Sequence, residues 1–466
     1  MSRRMLAITI LMASTGCSTG YDIVIANGRV MDPASGLDEI QNVGIEDGRI
    51  AIITGEPISG GRTIDADGLV VAPGFIDLHQ HGQNEESYRL KVLDGVTTGL
   101  ELEVGTGDIE AWYAERDGGQ IINYGVSIGH IPVRMIVMRD EGTFLPSGPG
   151  GSATASADDV SEMERRLEEG LTRGAVGVGF GMAYTPAATT EEFESMLRVA
   201  VRHDATSFIH VRNGLQGLRE AIAGAANTNA SLHVVHANSS GDERIVEFLA
   251  LIDRVASGGQ DVTTEAYPYS AGNTRIESAL FDDWESYPDE RFQIYQWVAT
   301  GERLTRETFG KYRAQGGSVI IHSRTEEMTR TAITSPLTMI ASDGSIVRNG
   351  QAHPRSAGTF AKVLGKYVRE EGVVTLMDAL RRMTIAPARR LEARVPSMAR
   401  KGRVQEGADA DITVFDPATV IDRSTYTNGA IPSEGLVYVL VGGRLVVDGG
   451  EFVEGVRPGK AIRTPY

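Results

Sequence analysis

Cysteine is almost absent from the sequence: Cys17 is the only one among 466 residues. An intrachain disulfide is therefore excluded, and so is a thiolate metal ligand in the body of the chain. Cys17 follows a basic start, a short apolar stretch and the small residues Ser14-Thr15-Gly16, an order typical of a bacterial signal peptide with a lipobox-like cleavage site. We therefore predict that residues 1–20 direct export to the periplasmic side, with a lipid anchor on Cys17. Ser18 indicates the outer membrane; a soluble periplasmic or secreted protein is the alternative.

A long apolar run and an excess of positive charge are also missing. The apolar stretch at residues 5–13 is too short to span a bilayer, and no candidate transmembrane segment follows it, so the lipid anchor is the one predicted link to a membrane. Lys and Arg number 45 against 62 Asp and Glu, and the resulting net charge of -17 repels phosphate backbones and anionic lipid head groups. We expect no nucleic-acid partner, and the composition leaves a homo-oligomer open.

The two ends of the chain share a β-rich texture. Residues 21–73 and 401–466 contain runs of alternating apolar and polar residues, and Asn-Gly, Asp-Gly or Gly-Gly turns separate these runs. Strands at both ends of a chain with a long α/β region between them favour pairing of the two ends. The sequence therefore predicts one small β-sandwich formed by the N-terminal and C-terminal strands together.

The region between them, residues 74–400, alternates short apolar strands with helical stretches. Eight segments have strand character: FIDLHQH, TTGLELE, NYGVSIGHI, AVGVGFG, SFIHVR, LHVVHAN, DVTTEAYPY and LTMIASD. Eight parallel strands with intervening helices fit a closed (β/α)₈ TIM barrel better than an open sheet. Residues 270–335, approximately, are too long for a simple connection and predict an inserted subdomain near the barrel mouth. The helix in TTEEFESMLRVAVRH is predicted to have Thr190 as its N-cap.

The clearest chemical signal is His79-Gln80-His81 at the end of the first predicted barrel strand. Residues two apart on a strand point the same way, so both imidazoles face the C-terminal rim, where barrel enzymes build their sites. Other strand ends bring further metal-ligand types to this rim: Glu101 and Glu103 from the second, His210 from the fifth, His236 from the sixth and Asp343 from the eighth. Buried carboxylates are costly unless a cation or hydrogen bonds compensate them, so a metal centre is the preferred interpretation. Hydrogen-bonded histidines and salt-bridged glutamates without a metal are the alternative.

Several motifs together resemble one family. PGFIDLHQH, the GVTT before the second strand, His210, His236, SDG around Asp343 and HPRSAGTF from His353 are similar to the N-acyl-D-amino-acid deacylase (D-aminoacylase) branch of the amidohydrolase superfamily. The segment GADADITVFDP also has the form found in this family. The resemblance covers nearly the whole chain after Tyr21, and it implies an α/β fold with a TIM barrel of the metal-dependent amidohydrolase type.

The resemblance also implies a metal site with one or two Zn²⁺ per chain. His79 and His81 would hold one metal, His210 and His236 another, and Asp343 would be the catalytic carboxylate and a further metal ligand. Zinc remains an inference from the family, because the same ligands accept other first-row metals.

One departure from the family concerns the bridge between the metals. The branch often uses a cysteine at the end of the second strand, and this chain has no cysteine there. Glu103, with Glu101 as the next candidate, is the predicted replacement, since a carboxylate can also bridge two cations. The fourth strand offers no lysine that could serve as a carbamylated bridge.

The implied activity is that of a zinc-dependent hydrolase of carbon–nitrogen bonds other than peptide bonds. The substrate would be a small N-acyl-D-amino acid or a short peptide that contains D residues. Zinc lowers the pKa of bound water towards neutrality and polarises the carbonyl, so metal-bound hydroxide attacks while Asp343 accepts a proton and passes it to the departing nitrogen. A lactonase or cyclic-amide hydrolase on the same metal centre is one alternative, and a non-catalytic binding lipoprotein is another.

Five further residues are predicted to contact the substrate. Tyr184 resembles a tyrosine that the family uses to polarise the substrate carbonyl, with plain packing as an equal alternative. Arg212 and Arg355 could each hold a carboxylate through two parallel hydrogen bonds, although a structural salt bridge is an equal alternative for both. His353 lies in the same loop as Arg355. Asn238 stands where relatives commonly have a lysine near the substrate carboxylate.

Overall fold

The computed structural model describes residues 20–465. Cys17 and the predicted cleavage site lie outside the described residues, so export and lipid anchoring stay predictions. No helix between residues 20 and 465 combines the length and the apolar character needed to cross a bilayer.

Five strands precede the barrel: β1 (Tyr21–Asp32), β2 (Leu37–Glu46), β3 (Arg49–Thr54), β4 (Gly60–Asp65) and β5 (Val70–Pro73). β1 lies at the centre, antiparallel to β2 and parallel to β4 and β5. Asp47 and Gly48 join β2 to β3 with φ angles of 49° and 75°. Positive φ at both residues is the requirement of a tight hairpin turn, which explains the Asp-Gly pair at this point.

Seven parallel strands then follow in chain order and lie side by side in the same order: β6 (Phe75–Asp77), β7 (Val96–Thr106), β8 (Asn123–Gly129), β9 (Val178–Gly181), β10 (Ser207–His210), β11 (Leu232–Val234) and β12 (Val262–Ala266). Their side chains are almost entirely buried, as expected for parallel strands covered on both faces.

The helices lie mainly between these strands and after them: α1 (Glu85–Leu93), α2 (Ile109–Ala114), α3 (His130–Met138), α4 (Pro149–Ser152), α5 (Ala157–Thr172), α6 (Thr190–Arg202), α7 (Gly214–Thr228), α8 (Ala237–Gly241), α9 (Ile245–Ser257), α10 (Arg306–Gln315), α11 (Glu326–Thr334), α12 (Arg355–Lys362), α13 (Leu376–Met383) and α14 (Ile385–Glu392). α12 continues as a π-helix over Val363–Glu370. The N-cap of α6 is Thr189 rather than the predicted Thr190. Thr189 is the last residue with extended backbone, and its hydroxyl accepts the Glu192 N–H at 3.1 Å.

An insertion between β12 and the last barrel strand forms a small sheet with its own core. Its strands are β13 (Gly272–Arg275), β14 (Tyr295–Trp297) and β15 (Ser318–Ile321), with β15 in the middle and antiparallel to both neighbours. α10 covers this sheet. Buried aromatic side chains fill the space between them, among them Phe292, Tyr295 and Phe309.

The eighth barrel strand, β16 (Thr338–Ile340), pairs with β12 and closes the barrel against β6. The His81 N–H donates to the Gly344 carbonyl at 2.8 Å, and the Ser342 N–H donates to the Asp77 carboxylate at 2.9 Å. Lys91 also lies 3.0 Å from Asp77, so a buried ion pair supports the closure. Each of the eight segments predicted as barrel strands contains one strand.

The C-terminal strands complete the sheet that β1 begins: β17 (Ile412–Phe415), β18 (Leu436–Val441), β19 (Arg444–Asp448) and β20 (Glu451–Phe452). β17 pairs antiparallel with β5, which joins the two ends of the chain in one nine-stranded sheet. Ile25, Val43, Val71 and Ile412 belong to an apolar core enclosed by this sheet. The predicted fold class, a (β/α)₈ barrel with a second unit built from both ends, is confirmed.

Candidate metal centre

Ligand-type side chains from five strands meet at the C-terminal end of the barrel. Among the described residues, their ligand atoms form two groups whose members lie within 4.8 Å of one another: His79, His81, Glu103 and Asp343, and Glu103, His210 and His236. Six of the seven residues predicted to be metal candidates are thus brought together.

The first group is built on the loops after β6 and β16. The Nε2 atoms of His79 and His81 lie 3.1 Å apart. Glu103 Oε2 is 2.6 Å from His79 Nε2, and Asp343 Oδ1 is 3.5 Å from His79 Nε2 and 3.4 Å from His81 Nε2. Two nitrogens and two carboxylate oxygens therefore converge on one point.

The second group is built on the ends of β10 and β11. His210 Nδ1 and His236 Nε2 lie 3.1 Å apart. Glu103 Oε1 is 3.1 Å from His210 Nδ1, and Glu103 Oε2 is 3.6 Å from His236 Nε2. Glu103 thus lies between the two histidine pairs, with one carboxylate reaching both.

Two buried carboxylates behind the first group orient its imidazoles. Glu265 Oε1 is 2.6 Å from His79 Nδ1, and Glu101 Oε2 is 2.7 Å from His81 Nδ1. Because an ionised carboxylate only accepts hydrogen bonds, each Nδ1 carries a proton, and Nε2 is the atom of each ring that is left to coordinate a cation. A carboxylate that accepts from Nδ1 fixes the ring orientation and makes Nε2 a stronger ligand, which is the usual arrangement behind a metal-bound histidine. The donor set therefore fits a metal ion.

This geometry separates the two glutamates of β7. Glu103 contacts both histidine pairs, whereas Glu101 belongs to neither group of the described residues. Its second oxygen accepts the backbone N–H groups of Val104 and Gly105. Glu101 is therefore corrected from a candidate metal ligand to a residue that positions His81.

The electrostatics of the first group demand positive charge. Burial lowers the pKa of His81, but the charges of Glu101 and Asp343 outweigh this effect and raise the pKa to about 9. Burial also opposes ionisation of Asp343, yet Arg355 and His79 hold the pKa of its carboxyl below the ordinary value. A divalent cation at this point would supply the charge that the carboxylates attract.

The backbone is strained at two of these residues. His236 has φ 36° and Asp343 has φ 51°, in the left-handed region that non-glycine residues rarely adopt. Such conformations cost of order 1–3 kcal/mol each and are found where function requires a particular direction of the side chain. At His236 the chain turns directly from β11 into α8, which leaves no room for an extended connection.

Glu265 and His233 are site residues that the sequence did not reveal to us. Glu265 lies on β12, and its second oxygen is 3.0 Å from His233 Nε2. His233 Nδ1 is in turn 2.8 Å from the Thr263 hydroxyl. A glutamate inside the apolar strand DVTTEAYPY, two residues after a threonine on the same face, is the signal that could have identified it.

A cavity of about 1100 Å³ lies above the metal centre and extends to the insertion. Tyr184 and Arg355, both predicted substrate contacts, line it. Arg355 Nη1 is 2.8 Å from Asp343 Oδ2, and its Nε is buried without a hydrogen-bond partner among the described residues. The Tyr184 ring lies 4.9 Å from the His210 ring, and its hydroxyl is 3.1 Å from the Thr274 hydroxyl.

The substrate contact of Arg212 stays a prediction, and the structure shows which protein groups hold its guanidinium. Its guanidinium lines the cavity but donates to the carbonyl groups of Pro186 at 2.7 Å and Ala188 at 2.9 Å, and it also pairs with Glu220. These bonds use the donors that a substrate carboxylate would need. Arg212 therefore holds the loop after β9 in place.

The substrate contacts of Asn238 and His353 likewise stay predictions. The Asn238 amide is buried, donates to the Tyr267 carbonyl at 3.1 Å and accepts the Tyr267 N–H at 3.3 Å, so its side chain secures the end of β12. His353 is buried and lies outside the cavity wall, where its Nδ1 accepts the Arg355 N–H at 3.1 Å. Both residues support the site from behind.

Comparisons with known proteins agree with this geometry. Residues 125–447 match the model of the Amidohydrolase family. The chain is 29% identical over 489 residues to N-acyl-D-glutamate deacylase of Alcaligenes xylosoxydans xylosoxydans, with 95% of this chain and 96% of that protein covered.

The match to the crystal structure of N-acyl-D-glutamate deacylase from Bordetella bronchiseptica has a TM-score of 0.82 at 28% identity and covers 96% of this chain and 100% of the other. That structure contains zinc and a phosphonate inhibitor that mimics the tetrahedral intermediate. A D-aminoacylase studied for its binuclear metal centre matches with a TM-score of 0.79 at 26% identity, over 96% of this chain and 100% of the other.

Proposed function

This chain belongs to the amidohydrolase family, and we propose that it hydrolyses the C–N amide bond of a small N-acyl-D-amino acid or of a short peptide that contains D residues. The observation that carries the proposal is the position of Glu103. Its two carboxylate oxygens lie 2.6 Å from His79 Nε2 and 3.1 Å from His210 Nδ1, between two histidine pairs. The N-acyl-D-glutamate deacylases to which the chain is similar over nearly its whole length support the substrate class.

The residues fit one or two Zn²⁺. His79, His81 and Asp343 would hold one ion, His210 and His236 another, and Glu103 would be shared. When bound, such an ion lowers the pKa of water and polarises a carbonyl group. The protein contributes the orientation of the ligands, for example through Glu265 behind His79 and Glu101 behind His81.

Asp343 is the residue that moves the proton. Its Oδ2 is held by Arg355 at 2.8 Å, which leaves Oδ1 directed at the ligand group. An ionised carboxylate at this position can accept a proton from water and deliver it to the departing nitrogen. The nitrogen of the scissile amide therefore lies on the Asp343 side of the site.

Tyr184 and Arg355 bind the substrate. Burial and the charge of Glu103 raise the pKa of the Tyr184 hydroxyl, so the hydroxyl stays protonated and can donate to a carbonyl oxygen. Arg355 lines the cavity beside Asp343, and its guanidinium supplies the positive charge that a substrate carboxylate would meet there.

Export to the periplasmic side as a lipoprotein is part of the proposal. The basic start, the apolar stretch and Ser14-Thr15-Gly16-Cys17 support it. The test is cell fractionation: wild type is expected in the outer-membrane fraction, and Cys17→Ala is expected to lose this fraction. Wild type released in processed form without detergent would argue against lipid anchoring.

The activity is tested by release of free amine from matched N-acyl-D- and N-acyl-L-amino acids, together with the zinc content of the protein. Wild type is expected to be D-selective, and Asp343→Asn is expected to lose turnover while folding normally. Asp158→Asn, which changes an exposed aspartate of α5, is the control and should keep full activity. A metal-loaded wild type that cleaves only lactones or cyclic amides would contradict the proposal, and so would an Asp343→Asn variant with normal activity.

A further inference from the structure

The cavity wall beside the metal centre is apolar. The Phe144 ring lies edge-on to the His81 ring, with 5.4 Å between the centroids. Phe144 packs against a buried cluster that contains Val104, Leu145 and Tyr184. These side chains reach the cavity, so an apolar surface begins directly beside the histidines of both ligand groups.

This surface continues outward onto the insertion. Ala279 lies beside Gly151, because a Cβ atom on Gly151 would be 3.0 Å from Ala279 Cβ and 3.3 Å from the Tyr184 carbonyl oxygen. The next residue, Leu280, lines the cavity with 37% of its surface exposed. A single exposed leucine is ordinary, but this one extends the apolar surface to the cavity mouth. We name Val104, Phe144, Leu145 and Leu280 the acyl wall.

Cationic side chains line the cavity as well as apolar ones. Arg324, Arg348 and Arg355 all reach the cavity. Arg355 is paired with Asp343, and Arg324 donates to the Tyr267 hydroxyl at 3.0 Å. The cavity is therefore amphipathic: Arg355 lies beside Asp343, and the Phe144 ring lies beside His81.

The proton path decides which part of a substrate faces each surface. If Asp343 delivers a proton to the departing nitrogen, the amino-acid half with its carboxylate lies towards Asp343 and Arg355. The acyl half then extends from the carbonyl carbon away from Arg355, and the Phe144 ring beside His81 is the apolar side chain that we assign to it. This assignment rests on the proposed function.

The cavity is also larger than a short acyl group needs. Its volume of about 1100 Å³ is slightly above the roughly 300–1,000 Å³ of pockets that bury drug-sized ligands. An acetyl group would leave most of the acyl wall in contact with water, which is unfavourable for an apolar surface.

We propose that the substrate carries a medium-chain acyl group, of about six to ten carbons, which packs on the acyl wall. Hydrolysis adds water to the carbonyl carbon and breaks the C–N bond. The products are a medium-chain carboxylate and the free D-amino acid, whose nitrogen receives the proton. The protein is then a deacylase of N-(medium-chain acyl)-D-amino acids.

The test compares kcat/KM for N-acetyl-D-glutamate and N-octanoyl-D-glutamate on the zinc-loaded, full-length protein. Each buried methylene contributes roughly a fourfold gain in affinity. The octanoyl group has six more methylenes than the acetyl group. If half of them are buried, three fourfold gains multiply to a kcat/KM that is roughly 60-fold higher for the octanoyl substrate. Leu280→Asn places a polar group on the acyl wall and is expected to reduce this preference by about tenfold. Val373→Asn is the matched control, because Val373 is 36% exposed and lies outside the cavity lining, and it should keep the wild-type ratio.

The outcomes separate the two proposals. Hydrolysis of the acetyl substrate with an octanoyl-to-acetyl ratio near one would overturn the acyl wall and leave the proposed function intact. A clear octanoyl preference that Leu280→Asn does not change would overturn the assignment of this surface. Hydrolysis of neither compound would overturn the proposed function. In that case, binding can still be measured as the rise in melting temperature that each compound causes. A larger rise with N-octanoyl-D-glutamate than with the N-acetyl compound, lost in Leu280→Asn, supports the acyl wall. Equal rises for the two compounds overturn it.

Discussion

Replacing Glu265 with glutamine should weaken metal binding without touching a predicted ligand. Glu265 is buried and accepts hydrogen bonds on both oxygens, from His79 Nδ1 at 2.6 Å and from His233 Nε2 at 3.0 Å. A glutamine has one accepting oxygen and one NH₂ group, so one of the two imidazoles must face a donor. If this is His79, its tautomer and orientation are no longer fixed, and its Nε2 becomes a poorer ligand.

The size of the effect follows from the role of such carboxylates. Loss of the group that orients a metal-bound histidine typically costs roughly 10–100-fold in metal affinity. At 1.4 kcal/mol for each factor of ten, this corresponds to about 1.4–2.8 kcal/mol. The negative charge lost from beneath His79 acts in the same direction, because a less basic imidazole donates less strongly to a cation.

The assay is a zinc titration against a chromophoric chelator of known affinity, with circular dichroism as a check on folding. Glu192→Gln is the matched control. Glu192 is also buried and lies 2.8 Å from His130 Nε2, but His130 belongs to neither ligand group of the described chain. Wild-type zinc affinity in Glu265→Gln would refute the reasoning, and so would an equal loss of affinity in Glu192→Gln.

Three further predictions concern stability and packing. Lys91→Met leaves the buried Asp77 without its cation and should lower the free energy of unfolding by about 3–5 kcal/mol in urea denaturation. If the double variant with Asp77→Asn recovered none of this stability, the unpaired carboxylate would not be the cause of the loss. Burial and two nearby arginines lower the pKa of His322 to about 4. In the unfolded chain, the same imidazole binds its proton near pH 6.5. The free energy of unfolding should therefore decrease as the pH falls from 6.5 towards 4, by about 2 kcal/mol after allowance for partial exposure. His322→Asn should lack this part of the pH dependence of urea unfolding, and an unchanged profile would refute it. Gly179→Ala places a Cβ 2.2 Å from the Glu103 carbonyl oxygen, so β7 must move. This should lower the free energy of unfolding by about 1–3 kcal/mol in thermal unfolding and reduce zinc affinity. Normal zinc affinity would show that β7 tolerates this movement.

The regular part of the fold was predictable because its signals are local. Each barrel strand is a short apolar run bounded by turn residues. Parallel strands that are buried on both faces consist almost entirely of apolar residues, so such runs are recognisable in the sequence. His79, His81, His210, His236 and Asp343 could be selected for the same reason, since the ends of parallel strands meet at one rim of a barrel. The choice between adjacent threonines as the N-cap of α6 was not predictable, because both have the required side chain and only the backbone distinguishes them.

The remaining site residues depend on geometry beyond the strand ends. Alternation places residues two apart on one face only while the backbone stays extended. After His236 the chain enters α8 through a left-handed φ, so Asn238 does not follow the direction of His236. Arg212 likewise lies beyond the last residue of β10. The difference between Glu101 and Glu103 depends on which imidazole nitrogen each one meets, and this is a property of the folded site.

The pairing of β5 with β17 has a consequence for how the chain folds. Pro73 lies opposite Ile412, about 340 residues later in the chain. Until β17 reaches it, the edge of β5 has no native partner, and an open edge is a template for incorrect pairing. Contacts so distant in sequence also carry a high entropic cost before they form. We therefore expect the nine-stranded sheet to close after the barrel, as the slow step of folding.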